Sequence, residues 1–182
     1  MSLLDRPIDP IESSFYLVLK SNAFTKLYAD NTQLSFKNKI ITPINMSGNW
    51  EVALIDMQIH RSKTSNFGHC LWLYTNIIVN TQVGADTEPL LAHVPINSNK
   101  KGWFSAQPHK HYVPLKQLVF DHVYVDIKSG FETRGRSKAE VGFQRVAKPS
   151  RKSIILQNTT HPTTVVLHFR KSDLPLYLKN ER

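Results

Sequence analysis

The sequence predicts an all-β domain: a sandwich, a jelly roll or a barrel. Apolar residues alternate with polar ones in several short runs, and almost no stretch sustains a helical period. Gly, Pro, Asn and Ser punctuate those runs, as at Ser47-Gly48-Asn49 and Ser129-Gly130. The connections between runs are uneven in length, which disfavours a plain up-and-down meander and fits Greek-key crossings.

Taken in order, FYLVL at 15–19 is apolar, aromatic and strand-length, and Leu34, Phe36 and Ile40 alternate against polar neighbours. WEVALIDMQI at 50–59 puts Val52 and Leu54 on one face and Ala53, Ile55, Met57 and Ile59 on the other. Two mostly apolar faces predict a central strand buried on both sides. CLWLYTNIIV at 70–79 is continuous, and its length, aromatics and β-branching favour strand over helix. The runs 90–96 and 112–118 read as shorter strands, each interrupted by a proline (Pro95, Pro114) that suits an edge, a bulge or a strand end. Val123, Val125 and Ile127 alternate with His122, Tyr124 and Asp126, and Val165, Leu167 and Phe169 with Thr164, Val166, His168 and Arg170. Adding 153–156 gives about nine candidate strands, with polar connections at 80–89 and 97–111. The ends read as arms: 1–13 lacks a strand pattern, and 172–182 suits a short helix or an extended tail, leaving 14–171 as the domain.

A chain of 182 residues suits one domain, and 41% hydrophobic with 20% charged residues is ordinary globular usage. Its one cysteine, Cys70, excludes an intrachain disulfide and a cysteine-based zinc site, so a reducing compartment is expected. Asp5, Asp9 and Glu12 in an N-terminal stretch without a long apolar core do not fit a secretory signal. No run approaches the ~18 apolar residues that span a bilayer.

Catalytic patterns are missing from the sequence. There is no Gly-rich phosphate loop, no G-x-S-x-G elbow and no H-E-x-x-H, so no catalytic residue, cofactor or metal is expected and the chain does not read as an enzyme. His109 and His111 have a spacing that metal sites use, but without a carboxylate close in sequence and with Lys110 between them they read as a solvated basic loop. His69 and Cys70 are adjacent, so on a strand they point to opposite faces, and Cys70 reads as a buried inert thiol. Trp50 and Trp72 fall inside strand patterns and are expected in the core. Trp103, in the loop 100–104, is the expected interface anchor.

Charge is the stronger signal. Net charge is +9, and the segment 128–152 holds eight basic residues, Lys128, Arg134, Arg136, Lys138, Arg145, Lys148, Arg151 and Lys152, against Glu132 and Glu140. These are candidate contacts for phosphate, in nucleic acid, or for an acidic partner surface; a solvated loop balanced by acids elsewhere is the plainer alternative.

Several stretches, in order, resemble a protein of Polinton/Maverick elements and adintoviruses. They are FYLVLKSNA, Leu27-Tyr28-Ala29-Asp30-Asn31-Thr32, ITPINMSGNWEVALIDMQI, Val83-Gly84 with Pro89-Leu90-Leu91 and Val94-Pro95, His111-Tyr112-Val113-Pro114-Leu115, Phe120-Asp121 with Tyr124-Val125-Asp126-Ile127, and Val166-Leu167-His168-Phe169-Arg170. The resemblance covers roughly 15–171 and is to the minor capsid protein, or penton. It implies an all-β single jelly-roll β-sandwich of about eight strands in two antiparallel sheets. It further implies homopentamers at the vertices of an icosahedral shell, partnered by a hexon-like double-jelly-roll major capsid protein. The virion, assembled inside the host cell, would be its location and packaged DNA a further contact. The segment 130–161 is longer than the family pattern, so the basic insertion is where the resemblance says least. The alternative is a β-sandwich that binds or packages nucleic acid through 128–152.

Overall fold

A computed structural model describes residues 14–61, 69–83, 85–96, 102–130 and 161–172. These residues form eleven strands: β1 (Ser14–Lys20), β2 (Ser35–Asn45), β3 (Trp50–Arg61), β4 (Cys70–Thr75), β5 (Thr81–Val83), β6 (Asp86–Glu88), β7 (Leu90–Pro95), β8 (Gly102–Ala106), β9 (Val113–Pro114), β10 (Val119–Gly130) and β11 (Thr164–Lys171). The first sheet runs β1-β11-β3-β8, with β9 also on β3, and the second runs β2-β10-β4-β7. Every pairing is antiparallel. The first strand lies beside the last and successive long strands cross between the sheets, which is the order of a single jelly roll. Strands β5 and β6 form a small separate hairpin within the expected 80–89 connection.

The core lies between the two sheets. Leu19, Val165, Leu167, Phe169, Val52, Leu54, Met57 and Ile59 from the first meet Phe36, Val123, Val125, Ile127, Leu71, Leu73, Leu91 and Val94 from the second. An aromatic seam crosses it: Phe15 stacks on Phe169 at 4.6 Å, and Phe169 lies 6.0 Å from Phe120 of β10.

The first half of β3 is buried on both faces, as its two apolar faces predict, Ala53 without exposure on the outer one and Val52 and Leu54 on the inner, while its second half changes face. Opposite Leu167 and Val166 of β11 stand Leu54 and Asp56, so Ile55 is an extra residue in a β-bulge. The core-facing set therefore switches from Trp50, Val52 and Leu54 to Met57 and Ile59, and Ile55 is only half-buried. Leu91 is likewise the extra residue between Leu90 and Ala92, after which Val94 and Ile96 face inward.

Other expected elements are shorter or shifted. The run 70–79 is a strand only to Thr75, because Asn76 turns away to accept the Tyr124 N–H through its side chain at 2.8 Å. Ile77 and Ile78 still reach the core from that turn. The run 112–118 keeps only Val113 and Pro114 as strand. The polar connection at 97–111 contains β8, and the candidate at 153–156, with the arms 1–13 and 173–182, lies outside the described residues.

Polar side chains set the corners. Asn31 accepts the Lys37 N–H at 2.8 Å and donates to the Lys37 carbonyl at 2.9 Å, imitating a peptide partner. Thr32 Oγ1 accepts the Ser35 N–H at 2.9 Å, so the Asn-Thr pair builds the entry to β2. At the β2–β3 turn, Gly48 has φ +86°, and an added Cβ would lie 3.3 Å from Lys171 Cε. Gly48→Ala should lower stability by about 1–2 kcal/mol, seen as a lower urea midpoint at unchanged m-value.

The strand directions give the sandwich two unlike ends. Connections β1–β2, β3–β4, β7–β8 and β10–β11 leave from one end, where Lys20 faces Thr164, Arg61 faces Gly102, and Cys70 faces both Pro95 and Gly130. The β2–β3, β4–β7 and β8–β10 connections leave from the other.

Candidate interaction surface

Trp103, expected on a loop, stands on β8 directly opposite His60 of β3, on the outer face of the first sheet. It is 60% exposed. The His60 ring meets it edge-on at 5.4 Å, and His161, just before β11, lies 6.0 Å away. His60 and His161 are themselves stacked, 3.8 Å between centroids and 18° between planes. Gln33 Nε2 ties the two backbones together, donating to the His60 carbonyl at 2.9 Å and the His161 carbonyl at 3.3 Å. A large aromatic held this way has little freedom left to lose on contact, which suits it to anchor an interface.

A second cluster occupies the outer face toward the opposite end. Tyr16, His168 and Ala53 are register neighbours across β1, β11 and β3. The Tyr112 hydroxyl lies 2.6 Å from His168 Nδ1, and the Arg170 guanidinium covers the Tyr112 ring at 3.6 Å. Arg170 also reaches the Glu51 carboxylate, Nη2 to Oε2 at 3.2 Å. Burial, then the charges of Lys110 and Arg170, holds the His168 imidazole below its ordinary pKa. The neutral ring is thereby favoured, with Nδ1 assigned as acceptor of the Tyr112 proton.

Exposed apolar side chains gather near two different edge strands. Tyr16 (60% exposed) and Val18 (55%) project from β1, the edge of the first sheet, with Phe24 and Leu27 in the turn that follows. On β2, the edge of the second sheet, Lys39 faces His122 and Ile44 faces Phe120, so residues 40–43 bulge out of the ladder. Ile41 at their tip is 87% exposed, and Leu118 and Val119 are exposed at the neighbouring start of β10. The Ile40-Ile41-Thr42-Pro43 string was the sequence signal for this bulge, since proline breaks a ladder.

Of the eight expected basic contacts, the described residues include Lys128 alone. Its ammonium sits 4.1 Å over the Tyr74 ring and 3.4 Å from Glu88 Oε2. Burial and the Glu88 carboxylate together push the Tyr74 phenol up, so it stays protonated beneath that cation. Arg134, Arg136, Lys138, Arg145, Lys148, Arg151 and Lys152 lie outside the described residues.

The remaining expected positions separate. Trp50 is buried, but Trp72 is half-buried on the outer face of the second sheet, its ring 4.6 Å from His93, and so is not a core residue. The alternation of β4 explains this: Leu71, Leu73 and Thr75 take the inner face. Cys70 is buried, while His109, Lys110 and His111 are all exposed. Among the described residues no three His, Cys, Asp or Glu side chains are grouped to hold a metal ion, and no helix is long and apolar enough to cross a membrane.

The strand order thus defines the fold class as a single jelly-roll sandwich with an aromatic, histidine-rich outer face on one sheet. No family model, curated protein or solved structure matches the chain.

Proposed function

We propose that this chain is a structural capsid subunit of penton type, assembling as a homopentamer at icosahedral vertices beside a double-jelly-roll major capsid protein. The observation that carries the reading is the sheet order β1-β11-β3-β8 over β2-β10-β4-β7, a fold frequent in capsid proteins, joined to the ordered resemblance to Polinton-type pentons. Fold alone would be a weak warrant, since jelly rolls serve many functions. The surface adds support. A cyclic ring needs two different complementary patches per subunit, and exposed apolar groups occur at two edges, around Tyr16 and Val18 on β1 and around Ile41 and Val119 by β2. The role is architectural and requires no catalysis, and the virion is the corresponding location.

Native mass measurement and imaging of the purified protein, alone and with the major capsid protein, test this. Five-fold rings are expected, and Ile41→Asp should abolish them while leaving a folded monomer. Monomer throughout, with no association with the major capsid protein, would overturn the reading.

The charge of 128–152 favours a second reading, in which that segment binds DNA. Lys128 is already paired with Glu88. Affinity for duplex DNA that falls steeply with salt and is lost on neutralising Arg134, Arg136, Arg151 and Lys152 would support it. We favour contact with an acidic surface of a neighbouring subunit, because shell assembly is required by the capsid reading and genome contact is only compatible with it.

A further inference from the structure

We propose that His60 and His161 form a pH-sensitive clamp that fixes the point where the chain rejoins the first sheet after the basic insertion, closed when the pair holds at most one proton and released when both rings are charged. The stacked rings at 3.8 Å are the core of this inference. Two neutral imidazoles, or one neutral and one charged, can stack face to face, but two imidazolium ions in that position repel directly.

The surroundings offer the second proton little compensation. From β8 come Trp103, edge-on to His60, and Ser105. From β3 itself come Gln58 and Asp56 on the same face; Asp56 is the acid of this group, and its carboxylate is shared by Gln58 Nε2 at 3.3 Å and Ser105 Oγ at 3.4 Å. Lys20 of β1, across Thr164 of β11 from Gln58, contributes a positive charge on that face. Arg61 follows His60 on the strand and is buried. Gln33, from the β1–β2 connection, holds both carbonyls and carries no charge. Burial first, and His161 second, lowers the His60 pKa, in the direction the stack requires.

The clamp sits where movement has consequences. His161 is two residues from Thr163, which is fully buried and locks the strand end: its N–H donates to Ser21 Oγ at 2.9 Å, and its carbonyl accepts the Ser21 N–H at 2.9 Å. Opening the stack removes the ring contact that holds His161 on Trp103 and His60. The start of β11 then depends on its ladder, the two Ser21–Thr163 bonds and the Gln33 bridge, without the ring contact that backs them. The device needs no ring of subunits, so it stands or falls independently of the capsid reading.

The test is an NMR titration of the full chain from pH 8 to pH 4, following both imidazole rings and the amide protection of Thr163 and Thr164. The expected result is two coupled steps separated by about one pH unit or more, the lower one shared by the pair. Protection at Thr163 should fall about tenfold between pH 7 and pH 5 while far-UV dichroism is unchanged. His161→Gln should raise the His60 pKa toward that of an ordinary histidine and abolish the pH dependence of protection. His60→Gln provides the reciprocal variant should the first fail to fold. Independent titration of the two rings, or protection at Thr163 that does not change with pH, would overturn the proposal.

Discussion

Replacing Phe169 with alanine is expected to destabilise the fold by about 3–5 kcal/mol, the range for deleting a fully buried phenylalanine. The ring has no exposure, and it joins the sheets by stacking on Phe15 within the first and lying near Phe120 of the second. Phe15 also contacts Trp50 at 5.8 Å, so a cavity at 169 would loosen three neighbours at once. Domains of this kind have a total stability of about 5–15 kcal/mol, so the loss takes a large fraction of it. Urea denaturation with fluorescence and dichroism measures it. Phe169→Leu should lose distinctly less, and an alanine variant within about 1 kcal/mol of the parent would mean that the seam collapses to fill the gap.

Asn38→Ala should cost about 2–3 kcal/mol for a different reason. Asn38 is buried on β2, and its side-chain amide accepts the Lys20 N–H at 3.1 Å and donates to the Lys20 carbonyl at 3.0 Å. Lys20 ends β1, an edge strand with no ladder partner on that side. One amide thus imitates a missing strand and stitches the two sheets together at a corner. Thermal unfolding should show a loss of about 5–10 °C for a chain of this length. Asn38→Asp, which keeps the acceptor but loses the donor and buries a charge, should be at least as damaging at pH 7. Lowering the pH should restore part of that loss relative to the parent, because the protonated acid regains a donor.

The ionisable groups set a sign for the parent protein as well. His60 and His168 both have lowered pKa values in the fold, so the unfolded chain binds more protons below the ordinary histidine pKa. Their contribution to stability is therefore complete above about pH 6.5 and is lost as pH falls through the lowered folded values.

Much of the fold is legible in the sequence because period-2 alternation survives where no bulge interrupts it. Phe15, Leu17 and Leu19, and Val165, Leu167 and Phe169, mark their strands directly. Bulges hide themselves. An extra residue such as Ile55 switches which side chains of a strand face the core, and only the partner strand reveals the shift. Strand β8, GWFSA, follows two lysines, opens on a glycine and turns only Phe104 and Ala106 toward the core, too short a pattern to separate from a loop. Trp103 was legible as exposed through that polar setting. The stack of His60 on His161 was not, since long-range pairing of strands brings those rings together and neither has a local signature.

The two unlike ends of the sandwich also differ in the charge that the sequence assigns to their connections. Seven basic and two acidic residues fall between 131 and 160, and Lys63, Lys100 and Lys101 fall in the other connections that leave from the same end, while Lys26 and Asp30 cancel. The connections at the opposite end balance, with Asp86 and Glu88 against Lys110 and Lys116. A surplus of charge in the connections of one end alone would let an approaching polyanion or acidic surface exert a torque as well as a pull. Orientation would then begin at separations of about a Debye length, near 8 Å in physiological salt, before any side chain makes contact.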